Sequence, residues 1–124
     1  MANYSEYLPD LGIVEVKLIG QVTVPELRKV TTEARELSKV NDTILFLVNS
    51  SELEDIPILD IYFLPKLYDE LGFDRRSKIA QIMPEHTDPV QNADFYEDVL
   101  VNRGWNIKSF TNREQAIFWL TNEQ

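Results

Sequence analysis

Val14, Val16 and Leu18 alternate with Glu15 and Lys17, the two-residue period of a strand with one wet face, and this predicts a strand over 13–19. A shorter strand at 5–8 precedes it, and Asp10-Leu11-Gly12 between them has the composition of a tight turn, so the chain opens on a hairpin. The period then lengthens. Thr23-Val24-Pro25-Glu26 has the form of a capping box with proline in the first turn, and Leu27, Val30, Ala34 and Leu37 make the buried stripe of the helix that follows. Thr43 to Val48 is apolar on both faces, as expected of a central strand covered on each side. Residues 49–55 are expected as a polar loop leading to a helix over 58–71, which Pro65 should kink and Gly72 should end.

The same alternation continues to the last residues. A strand is predicted at 78–83, followed by a helix capped by Asp88 with Pro89 in its first turn and stopped at Gly104. A strand at 105–110 comes next, and Thr111 to Glu114 is expected as a second capping box opening a final helix through Leu120. The order ββαβαβαβα describes a single α/β domain over residues 1–124, with a mostly parallel, mixed five-stranded sheet and helices on both faces. That layout depends on 44–48 being a middle strand between helical layers.

Composition narrows the functions. The chain has 124 residues, 44% of them hydrophobic, which suffices for one core without staples. It has no cysteine, so thiolate metal sites, disulfides and a cysteine nucleophile are excluded. Twelve basic against 21 acidic residues give a net charge of -9, which repels polyanions and argues against nucleic acid as a partner. The basic cluster Arg75, Arg76 and Lys78 is short and is expected as a solvated strand end. No signal-peptide pattern or membrane-spanning stretch is present, so a cytoplasmic location is expected, and the Asn-x-Ser/Thr matches at Asn3, Asn41 and Asn49 are expected to be unmodified.

Several residues carry a resemblance. Asn102-Arg103-Gly104-Trp105, then Phe110-Thr111, then Ala116 with Trp119-Leu120, and Lys78-Ile79-Ala80 entering the fourth strand, are similar to the SpoIIAA-like domains, STAS domains and above all the STAS/SEC14-type bacterial proteins. The resemblance implies a SpoIIAA-like fold. STAS antagonists of anti-sigma factors carry a phosphorylatable Asp-Ser-Ser-Gly type motif at the start of the helix after the central strand. The corresponding stretch here is Pro57-Ile58-Leu59-Asp60, which has no hydroxyl, so the resemblance implies the scaffold without that switch.

Candidate chemistry is sparse. Ligands of open α/β sheets gather outside the C-terminal strand ends, which directs attention to Ser50, Ser51, Glu54, Asp55 and His86, with Glu52, Glu85 and Asp88 nearby. A hydrolase would draw a serine, His86 and an acid from this set, but no Gly-x-Ser-x-Gly elbow supports one. One histidine and the unspaced acids of 52–55 do not make a zinc set or a calcium loop, and the four scattered glycines make no phosphate cradle, so no metal and no cofactor are expected. The segment 56–68 carries more large apolar side chains than one buried stripe requires. Ile58, Ile61, Tyr62, Phe63 and Tyr68 are therefore the expected face for a protein partner, a second copy, or a small apolar ligand or lipid. Phe95, Tyr96, Trp105, Phe118 and Trp119 are expected in or near the core. The expected function is that of a non-enzymatic, regulatory or protein-interaction module.

Overall fold

The computed structural model describes residues 3–55, 63–83, 101 and 104–122. A five-stranded sheet runs in the order β1 (Tyr4–Leu8), β2 (Ile13–Gln21), β3 (Leu45–Asp55), β4 (Lys78–Ile82) and β5 (Asn106–Phe110). β1 is antiparallel to β2, and every later pair is parallel. α1 (Val24–Val40) and α2 (Phe63–Leu71) lie in the crossovers, and α3 (Arg113–Thr121) follows β5. Of the helix expected between β4 and β5, only Val101, which is helical, is among the described residues; its Asp88-Pro89 start, Phe95 and Tyr96 lie outside them.

Each strand adds beside its predecessor, so right-handed crossovers carry α1 and α2 to the same face of the sheet. There Val14, Val16, Phe46 and Ile79 pack with Val30, Ala34, Tyr68, Phe73 and Trp105. The opposite face is covered by α3, whose Ala116 and Leu120 pack on Ile13, Leu47, Ala80 and Ile82. β3 is the middle strand, with Phe46 buried toward α1 and α2 and Leu47 toward α3, as the double-sided apolar run required.

Local chemistry explains the element ends. Gly12 turns the opening hairpin with φ +70°, a left-handed conformation that favours glycine. The box at the start of α1 forms as expected: the Glu26 amide donates to Thr23 Oγ1 at 3.2 Å and the Thr23 amide to Glu26 Oε1 at 2.8 Å. α3 begins one residue later than expected, with Asn112 as its cap accepting from the Gln115 amide at 3.0 Å. The amide of Ala116 reaches the Asn112 carbonyl, so the helical ladder starts there and Thr111 is left outside it.

Two further expectations are corrected. Residues 49–55 are not a loop but the second half of β3, paired to β2 with two register shifts. Lys17 faces Asn49 and Ile19 faces Glu52, so three residues of β3 span two of β2; another residue is absorbed between Leu53 and Asp55. The ladder requires a backbone partner, not apolar side chains, and bulges let a polar strand keep one. The residues before Phe63, which decide whether Pro65 kinks a longer helix, lie outside the described residues. Tyr68, expected on a partner face, is 8% exposed and stacks edge-on to Trp105 at 5.3 Å and against Phe73 at 5.1 Å. Burial pushes its phenol up to about 12.

Candidate functional site

The strand-end residues named from the sequence are distributed along β3. Ser50 is buried, Glu54 is exposed, and Asp55 closes the strand; His86 lies outside the described residues. The Ser51 hydroxyl donates to Asn49 Oδ1 at 2.7 Å, and the Ser51 amide donates to the same oxygen at 3.1 Å. Asn49 Nδ2 in turn donates to Glu15 Oε2 at 3.2 Å. These contacts immobilise Ser51 on a carboxamide rather than on a base, and they join it to a charged cluster that the sequence did not single out. Among the described residues the sheet order does not reverse.

The centre of that cluster is Glu15, only 5% exposed, on the α3 face of β2. Arg113, in the first turn of α3, grips it with both guanidinium nitrogens, Nη1 to Oε2 at 2.6 Å and Nη2 to Oε1 at 2.9 Å. Burial by itself would raise the Glu15 carboxyl, but the hydrogen bonds from Arg113 and Asn49 and the charges of Arg113 and Lys17 outweigh it and hold the group below its ordinary 4.5. Lys17 also pairs with Glu52 at 2.9 Å. The other end of α3 is held by Lys78, whose Nζ donates to the Trp119 carbonyl at 2.7 Å and sits 4.6 Å from the Trp119 ring centre. A cation there also meets the negative end of the helix. Lys78 is therefore a tether and not the solvated strand end expected of it; Arg75 and Arg76 are exposed and pair with Asp69 and Asp74. The Arg76 side chain and amide draw the Asp74 carboxyl down to about 2.

Apolar surface is open to solvent at the other margin of the same face. A groove of about 490 Å³ lies between β5 and α3, lined by Lys108, Phe110, Glu114, Phe118 and Trp119 among others. Phe118 is 68% exposed, against the expectation that it belongs to the core. Helical arithmetic could have placed it: Ala116 and Leu120 fix the buried side, and Phe118 sits two residues from each, about 200° around the axis. Trp119 is half-buried, tilted against Phe110 with centres 5.9 Å apart. The groove's open side leaves a ligand wetter than a site built to enclose a small apolar molecule would.

The described part of α2 turns mostly inward. Pro65, Leu67 and Tyr68 point into the core, Leu64 packs against it, and Phe63 is half-buried with the Arg28 guanidinium 6.0 Å over its ring. Ile58, Ile61 and Tyr62 lie outside the described residues. Among the described residues no helix is long and apolar enough to cross a membrane.

Among the described residues the sheet adds its strands in chain order, with α1 and α2 on one face and α3 on the other. Solved structures share it. An uncharacterised protein of the DUF3478 family from Shewanella loihica PV-4, described as having a SpoIIAA-like fold, matches at TM-score 0.63 and 20% identity, over 96% of this chain and 92% of that one. The anti-sigma factor antagonist SpoIIAA in its unphosphorylated form matches at TM-score 0.59 and 14% identity, over 98% of this chain and all of that one. An anti-sigma factor antagonist from Mycobacterium paratuberculosis matches at 0.56 and 12%, over 97% and 93%. No family model and no curated protein matches the chain. Identities this low establish the fold, and this chain has the SpoIIAA-like fold.

Proposed function

We propose that this domain is a non-catalytic protein-interaction module that receives an apolar side chain of a protein partner in the groove between β5 and α3. The exposed ring of Phe118 carries the reading, because a large aromatic held in water beside Phe110 and Trp119 is the type of anchor that interfaces bury. Two proteins sharing the fold are anti-sigma factor antagonists, which supports a partner-binding use of the scaffold. The polar cluster at Ser51, Asn49 and Glu15 is tied up in mutual hydrogen bonds and serves to hold α3 in place.

The test is site-specific crosslinking in cells, with a photoreactive phenylalanine placed at 118 and, as control, at Lys29 on the exposed side of α1. A discrete protein adduct from position 118 and none from 29 is the expected result. Adducts from neither position would overturn the reading. So would a co-purifying lipid-sized adduct in native mass spectra, which makes the domain a carrier.

A further inference from the structure

β1 and β5 are the two margins of the sheet, and among the described residues neither has a neighbour on its outer side. Both are five residues long. Each carries one charge at its centre, on the α3 face: Glu6 stands beside Glu15 on β2, and Lys108 beside Ala80 on β4. Both are exposed. A charge in the middle of an edge strand blocks pairing with a copy of itself, since Glu6 would meet Glu6 and Lys108 would meet Lys108. It does not block the unlike combination.

We propose that the occupant of the β5 margin is β1 of a second copy of this chain, which extends the sheet head to tail. This deepens the partner-binding reading above by naming the partner. The directions agree: β5 runs with β2 and β1 runs against it, so a copy carried along the sheet in the same orientation brings its β1 antiparallel to β5, with the α3 faces on one side. Setting Glu6 opposite Lys108 pairs all five residues of both strands. Tyr4 then meets Phe110 and Leu8 meets Asn106 on the α3 face, while Ser5 meets Ser109 and Tyr7 meets Ile107 on the other. A slip of one residue would set side chains of opposite faces against each other and separate the two charges. Tyr4 is 42% exposed in the single chain, so both margins present an aromatic to solvent, Tyr4 on one and Phe118 beside the other. Arg113, which feels the charge of Glu6, is already committed to both oxygens of Glu15. The contact is heterologous, so it propagates into open chains of copies unless the sheet twist closes them.

Sedimentation equilibrium of the full chain at low salt, up to about millimolar concentration, tests the pairing. The wild type is expected to self-associate reversibly. Glu6→Lys and Lys108→Glu, each alone, should weaken association about tenfold, since each replaces an opposite-charge pair by a like-charge one. Mixing the two single variants in equal amounts should restore it, because every junction between unlike variants again joins a cation to an anion. A wild type that stays monomeric, single variants that associate as tightly as wild type, or a mixture no tighter than its components overturns the proposal. Circular dichroism of the separate variants identifies a folding defect, and the double variant Glu6→Lys/Lys108→Glu, expected to associate within about threefold of wild type, keeps the proposal testable in that case. Failure here together with a heterologous adduct from position 118 removes only the second copy as partner; failure of both removes the interaction reading.

Discussion

Replacing Arg113 by methionine strands the Glu15 carboxylate at a position that is 5% exposed, with Asn49 as its remaining hydrogen-bonding side chain. Removing one member of a fully buried ion pair costs roughly 3–5 kcal/mol. The Arg113 side chain is 43% exposed and water reaches its end of the pair, so about 2 kcal/mol is the expected loss at neutral pH. Glu15→Gln removes the charge but keeps the shape and an accepting oxygen, and should cost about 1 kcal/mol. In the wild type the Glu15 carboxyl titrates below 4.5, so its contribution to stability is complete above that pH and fades as the pH falls through the lower folded value. In Arg113→Met the same carboxyl is buried without its cation, is pushed upward instead, and is relieved by taking up a proton. The variant's deficit should therefore be largest at pH 7 and shrink toward pH 4. Urea unfolding at both pH values measures this, with a midpoint shift of about 1 M at pH 7 for a slope of about 2 kcal/mol/M. A deficit equal at the two pH values, or an Arg113→Met no worse than Glu15→Gln at pH 7, would refute the account.

Other expectations follow from the helix cap, the core and the exposed aromatic. Asn112→Ala should cost about 1 kcal/mol and Thr111→Ala close to nothing in the same assay, because only Asn112 caps α3. Trp105, 2% exposed, has an indole N–H with no hydrogen-bond partner among the described residues, so Trp105→Phe should lose under about 2 kcal/mol despite the removed volume: deleting an unsatisfied donor offsets part of the cavity. A loss of 4 kcal/mol or more by urea titration would mean that the donor is satisfied. Phe118→Ser should leave the unfolding free energy within about 0.5 kcal/mol of wild type, as an exposed ring adds little to folding.

Where a residue's role follows from local period, the sequence was legible. Val14, Val16, Val30, Ala34, Phe46 and Ile79 sit in the core where alternation and helical spacing put them, and Thr23 with Glu26 marked the start of α1 to the residue. Legibility failed where a distant partner decides. Nothing in 49–55 reveals that β2 continues alongside it as far as Gln21, and so a strand read as a loop. Glu15 looked like a wet-face residue because its cation is 98 positions away. Tyr68 looked like surplus apolar surface until Phe73 and Trp105 closed around it.

A sheet whose spatial order equals its chain order can be built as it is synthesised. Each strand leaving the ribosome finds its ladder partner already in place, which favours vectorial folding with few long loops to close. The exception is α3, which must emerge before Ile13, Leu47, Ala80 and Ile82 are covered, with Arg113 and Lys78 fastening its two ends across the finished sheet. A nascent chain arrested before that helix would carry a greasy, unlidded layer, and would be a natural client for chaperones.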